Sequence, residues 1–140
     1  HRTVNKLPGN IVSILAEGSI ALIEVQVGQR TLCASLLGAQ EDFLSWNLSQ
    51  HVELSFNEME VSIAKNLTGK ISLRNRLPGK IVSLEFGKIL TRVMFQLDDV
   101  HPISAVITTR SALNLELQIG DEIEGLVKSN EMNLLVREIR

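Results

Sequence analysis

The segment Asn5-Lys6-Leu7-Pro8-Gly9-Asn10-Ile11-Val12-Ser13-Ile14 returns seventy positions later as Asn75-Arg76-Leu77-Pro78-Gly79-Lys80-Ile81-Val82-Ser83-Leu84. A period of this length exceeds that of a solenoid unit and marks a tandem duplication of a small domain. Each copy continues in the same order: a glycine (Gly18, Gly87), an alternating apolar segment, and a small-residue segment around Ala34 or Ala105. A closing apolar segment follows, containing Val52-Glu53 or Ile123-Glu124. The 140 residues therefore divide into a diverged first module, 1–66, and a second module, 67–140. Modules of about seventy residues bury little surface alone and gain by packing on one another or on another subunit, so a homo-oligomer is expected.

Periodicity identifies the elements. Ile23, Val25 and Val27 alternate with Glu24 and Gln26; Thr91, Val93, Phe95 and Leu97 alternate with Arg92, Met94 and Gln96. Period two denotes half-buried strands. Gly28-Gln29 and Asp98-Asp99 supply turns, so Arg30 to Leu36 and Pro102 to Ile107 read as returning strands of hairpins. Thr108 is placed to cap a short helix from Thr109 to Leu113, and Ala39 to Leu44 occupies the corresponding place in the first copy. Glu122 to Lys128 is the second closing strand. Between the copies, Val61 to Ala64 and Ile71 to Leu73 read as extended, joined by the short linker Lys65 to Lys70. With Pro-Gly read as a leading bend, four or five short strands and one short helix in each copy make the fold class all-β: two tandem antiparallel barrels, closed or nearly closed, of the oligonucleotide/oligosaccharide-binding type. Closure removes the edges through which so apolar a sheet would aggregate.

Composition excludes several functions. The 44% apolar fraction is mainly Leu, Ile and Val, with one Trp, four Phe and no Tyr, which argues against a base-stacking surface. A formal charge of −2 with no basic patch argues against phosphate-backbone contacts, so no nucleic acid is expected to bind this segment itself. Cys33 has no partner for a disulfide and reads as a small buried hydrophobe in a reducing, cytoplasmic setting. No apolar run reaches spanning length, so membrane insertion is not expected. His1, His51 and His101 lack ligand spacing, and no nucleophilic triad or phosphate loop is present. Paired acids such as Asp98-Asp99 and Asp121-Glu122 fall at turns and read as solvated charge. Neither an enzyme, a directly bound metal nor an organic cofactor is expected.

What remains is a set of donors. Ser72-Leu73-Arg74-Asn75 enters the second copy and Lys128-Ser129 leaves its closing strand. An oxyanion calls for donors without carboxylates, and two cations offset a double charge. The Ser72 and Ser129 hydroxyls, the Asn75 amide, Arg74, Lys128 and nearby backbone N–H groups form such an inventory. By spacing alone these pairs read first as an exposed basic surface. The repeat supplies a contrast: the first copy has Arg2-Thr3-Val4-Asn5 and Asn57-Glu58 at the equivalent places. Val4 stands for Arg74, Asn57 for Lys128 and Glu58 for Ser129, so most donors are lost there.

In these residues the chain resembles the molybdate-binding Mop, or TOBE, domains. Ser72-Leu73-Arg74-Asn75 stands where the family has Ser-Ala-Arg-Asn, followed by Leu77, Gly79, Ile81 and Val82. Ala105-Val106-Ile107-Thr108 with Ser111, then Leu117, Gly120 and Val127-Lys128-Ser129, follow the family order. The first copy is similar to the diverged Mop domain of molybdenum-dependent regulators through Asn5, Leu7-Pro8-Gly9 and Thr31-Leu32-Cys33-Ala34. The resemblance implies a tandem pair of five-stranded barrels that bind molybdate or tungstate between modules, with Ser72, Arg74, Lys128 and Ser129 on the anion and Asn75 as a lesser contributor. A dimer or trimer would supply such a site. The implied role is molybdenum sensing, storage or homeostasis, with an attached DNA-binding domain in the sensing case. The alternative is an accessory regulatory domain of a transporter ATPase, whose acidic closing segment Phe56 to Val61 resembles.

Overall fold

The computed structural model describes residues 4–38 and 40–136. His1, Arg2, Thr3 and Ala39, all named above, lie outside the described residues. The described chain forms ten strands: β1 (Val4–Glu17), β2 (Ile20–Val27), β3 (Arg30–Leu37), β4 (His51–Asn57), β5 (Ser62–Ala64), β6 (Asn75–Phe86), β7 (Leu90–Leu97), β8 (His101–Thr108), β9 (Glu122–Val127) and β10 (Asn133–Val136). Two short helices, α1 (Gln40–Leu44) and α2 (Thr109–Asn114), follow β3 and β8. Thr108 caps α2 as its sequence predicts, its hydroxyl accepting from the Ser111 N–H at 3.1 Å. The all-β expectation holds.

The strands form two five-stranded sheets, ordered β10-β4-β1-β2-β3 and β5-β9-β6-β7-β8. In the first, β10 also packs against β3, and in the second β5 packs against β8, so the ends of each sheet meet as a barrel requires. The compact units built on these sheets are not the linear halves. One contains Asn57–Val127 with the chain up to Asn5; the other contains Lys6–Phe56 with the chain from Lys128 onward. Cutting the chain at residue 66 describes the repeat, but each barrel takes its fifth strand from across that boundary. The reason is edge protection: β9 needs a neighbour for its second edge and finds it in β5, just as β4 finds β10.

The repeated Pro-Gly is not a bend. Gly9 lies inside β1 and Gly79 inside β6. A Cβ added at Gly9 would meet the Gln26 carbonyl oxygen at 2.5 Å, and one at Gly79 would strike the Gln96 carbonyl, so glycine is required by close approach of the neighbouring strand. Pro78 immediately precedes the β6–β7 ladder, which begins at Gly79↔Leu97. A few residues on, each long strand carries the same bulge, between Ile11 and Ser13 and between Ile81 and Ser83. One extra residue there sharpens the twist and helps the sheet curl. Val12 and Val82 are those residues, and both are exposed.

Alternation along the strands sends Leu7, Ile11, Ile23, Val25, Leu54 and Phe56 into one core and Leu77, Ile81, Val93, Phe95, Leu97 and Ile103 into the other. The cores differ by a compensated exchange. Gly125 on β9 sits under the ring of Phe95, where a Cβ would approach Phe95 Cζ to 2.6 Å. The equivalent positions in the other unit hold Leu54 and Val25, both fully buried. A large side chain on one strand therefore accompanies a small one on the other, with core volume kept. Gly125→Leu alone is expected to destabilise by about 1–3 kcal/mol through overpacking. Adding Phe95→Val should recover most of that loss in denaturant melts, whereas two additive losses would show that the positions do not share volume.

Candidate functional site

The segment entering β6 presents its residues unequally. Ser72 and Arg74 are exposed and Leu73 is half-buried, whereas Asn75 is completely buried as the first residue of the strand. The Arg74 carbonyl accepts from the Arg76 N–H at 3.1 Å, which tightens the chain just before the ladder begins. Asn75 pairs with Val127 on β9, and Lys128 follows Val127 directly. Lys128 is exposed, in extended conformation, and leads into the 3₁₀ turn Ser129–Glu131. Within its own unit, Ser129 is half-buried and shares a 2.7 Å hydroxyl hydrogen bond with Ser35 on β3. Of the five predicted residues, Ser72, Arg74 and Asn75 thus belong to one compact unit, and Lys128 and Ser129 open the terminal segment of the other.

The carboxylate nearest this strand end in register is neutralised. Glu124, paired with Pro78, accepts from Arg76 Nε and Nη2, both at 2.7 Å, in a two-point fork. The hydrogen bond to Glu124 raises the Arg76 pKa and outweighs desolvation, so the charge is permanent.

The first copy shows what the repeated asparagine does. Asn5 is buried; its Nδ2 donates to the Ser104 carbonyl at 2.9 Å, and its Oδ1 accepts from the Ser104 N–H at 2.8 Å. One side chain therefore satisfies both polar groups of a peptide in β8 that no ladder would otherwise serve at that face. The Ser104 hydroxyl donates to Glu58 Oε1 at 2.7 Å, and Arg92 donates to the same carboxylate from Nε at 3.1 Å and Nη2 at 3.2 Å. Arg92 Nη1 also reaches Glu85 at 3.3 Å. The Glu58 hydrogen bond is the main cause of the raised Arg92 pKa. The sequence marks Glu58 as a lost donor and as part of the acidic segment Phe56 to Val61. A further signal is present: Arg92 stands where the first copy has Leu22.

Two clefts flank α2. One, of about 600 Å³, is lined by Lys88, Ile89, Thr108, Thr109, Arg110, Leu113 and Asn114. The other, of about 310 Å³, is lined by Ser62, Ile63, Ile107, Ser111, Asn114 and Leu115. Neither is lined by the five predicted residues, but Thr108 and Ser111 add hydroxyls, joined by a 2.8 Å hydrogen bond. Sequence order had singled them out only as part of the family pattern and as a helix cap.

Lys65 fastens the linker after β5 to the end of α2. Its Nζ donates to the carbonyls of Leu115 and Glu116 at 3.1 and 3.0 Å and to Asp121 Oδ2 at 3.0 Å. The Lys65 hydrogen bond, with help from the Gln118 N–H, holds the Asp121 carboxyl below its ordinary value of 3.8. A depressed carboxyl stabilises the fold above its unfolded-state pKa, and the contribution fades as pH falls through the lower folded value. Asp121→Asn should therefore melt below the wild type at neutral pH, with the gap closing below pH 3.8. A gap that persisted undiminished in acid would show that the charge is not what matters.

Comparison with known proteins places this geometry. The TOBE domain model matches residues 71–134. The molybdenum transport protein ModE of Azotobacter vinelandii is 42% identical over 69 residues, covering 49% of this chain and 26% of that protein. The molybdenum import ATP-binding protein ModC of Brucella abortus is 28% identical over 123 residues, 83% of this chain and 32% of that protein. The chain thus spans about a quarter to a third of the length of these two relatives. Molybdenum-pterin-binding protein 1 of Clostridium pasteurianum is 32% identical over 65 residues, which is 46% of this chain and 96% of that protein. A crystal structure of the cytoplasmic molybdate-binding protein ModG with molybdate bound superposes with a TM-score of 0.88 at 20% identity, covering 96% of both chains. The duplicated barrel, its donor-bearing strand ends and a relative matched over almost its whole length lead to one assignment: the chain belongs to the TOBE, or Mop, domain family.

Proposed function

We propose that the chain binds molybdate, and tungstate with it, as an intracellular module for molybdenum sensing, storage or homeostasis. The observation that carries this is the donor set on a family background. Ser72 and Arg74 lie exposed before β6, Lys128 follows the Val127 that pairs with Asn75, and the acid next in register, Glu124, is already engaged by Arg76. Arg74 and Lys128 supply the two positive charges that a dianion requires, and the Ser72 and Ser129 hydroxyls supply orientable donors. Asn75, wholly buried, is assigned a positioning part like that of Asn5 on Ser104. A homo-oligomer, dimer or trimer, completes the site in this reading, and a cytoplasmic location agrees with a single cysteine in the sequence and with ModG.

The long ModC match keeps a second assignment in view, in which the same barrels serve as the regulatory domain of a transporter ATPase. Both assignments use the same anion site, and they differ only in what the full protein attaches to it.

Anion selectivity follows from the donors. Phosphate is partly protonated at neutral pH and brings a donor that the Arg74 and Lys128 cations cannot accept, whereas molybdate and tungstate remain pure acceptors. Titration calorimetry with molybdate, with mass measured in solution alongside, should give saturable binding with a defined number of anions per oligomer. Arg74→Ala and Lys128→Ala should each weaken it by at least about tenfold, the loss of one charge-assisted contact. Sulfate should bind more weakly than molybdate, since it is the smaller tetrahedron. Unchanged binding in both variants, or equal affinities for sulfate and molybdate, would overturn the assignment.

A further inference from the structure

Glu58 is 2% exposed, and the oxyanion reading gives it no task. Both of its oxygens are nevertheless held as a bound anion would be: Oε1 by the Ser104 hydroxyl and Arg92 Nε, Oε2 by Arg92 Nη2. A guanidinium fork plus a hydroxyl is a general way of holding a free oxyanion. We propose that Glu58 is a tethered anion, whose carboxylate fills a donor pocket made by Arg92 and Ser104 that would otherwise take a small free oxyanion, and so closes that pocket to one.

Three further observations support this. The pocket is built in advance, because Asn5 grips the Ser104 peptide at both its N–H and its carbonyl and leaves the hydroxyl to face the acid. Its members also come and go together. Where this unit has Glu58, Arg92 and Ser104, the other repeat has Ser129, Leu22 and Cys33, so the acid and both donors are replaced as a set. Finally, Arg92 also meets Glu85, so two carboxylates already compete for the guanidinium with any anion arriving from solvent. Glu58 and Ser129 occupy equivalent places after their closing strands, and Ser129 is a donor in the proposed molybdate site. The link to site number therefore rests on that reading, while the tethered-anion claim rests only on Glu58, Arg92 and Ser104.

The test is chemical rescue of Glu58→Ser, which installs the residue of the other repeat. In chloride buffer this variant should melt below the wild type. Formate or acetate at matched ionic strength should raise its Tm by about 5 °C, and leave the double variant E58S/R92L unmoved. In an otherwise native chain, Arg92→Leu should leave the number of molybdate ions bound unchanged. If E58S does not fold in chloride, its refolding yield is measured instead, and dependence on formate supports the proposal. A variant indifferent to both anions in melting or refolding, an equal response from E58S/R92L, or loss of a molybdate site in Arg92→Leu each overturns it. Failure of the molybdate reading shows separately, as indifference of binding to Arg74→Ala and Lys128→Ala, and leaves rescue by formate intact.

Discussion

Everything in this molecule depends on finding a partner for the second edge of each closing strand. A four-stranded apolar sheet of this size leaves a row of unpaired N–H and C=O groups, and those groups are costly when buried and hazardous when exposed. Three-residue β5 and four-residue β10 meet that need, one for each barrel. They also fix where the donor residues lie, since the chain must leave β9 at Val127 and turn through Ser129–Glu131 before it reaches β10. Lys128 and Ser129 are therefore placed by the demands of closure as much as by those of a ligand.

The two repeats share a plan and differ in how they treat charge. Beside β9, the acid nearest the strand end in register, Glu124, is engaged by Arg76. The Glu58 cluster satisfies its guanidinium internally. Burying a carboxylate is tolerable only with such partners, and once they are in place the pair becomes part of the core.

Much of this could be read from the residues. Alternation at Ile23, Val25 and Val27, and at Val93, Phe95 and Leu97, located the hairpins, and Thr108 announced α2. Pairing partners could not be read so far. Ser62–Ala64 is extended in either arrangement, and a period of two says that a segment is a strand without saying which edge it joins. Pro8-Gly9 and Pro78-Gly79 misled for a different reason: the dipeptide is common in turns, yet here the glycine is needed because a strand passes too close for a Cβ. At the site, the donor residues stood out through their chemistry, while Glu58 escaped because its meaning lies in Arg92 and Ser104, distant in sequence and adjacent only once β7 and β8 have folded.

The exchange of closing strands also sets the order in which a ribosome can deliver a finished molecule. The barrel built on Lys6–Phe56 is the first to be synthesised but lacks β10 until residues 133–136 have emerged, whereas the Asn57–Val127 barrel has all five of its strands once Val127 is out. The later-made barrel is therefore complete first, and the earlier one waits with an open edge while residues 58–132 are made.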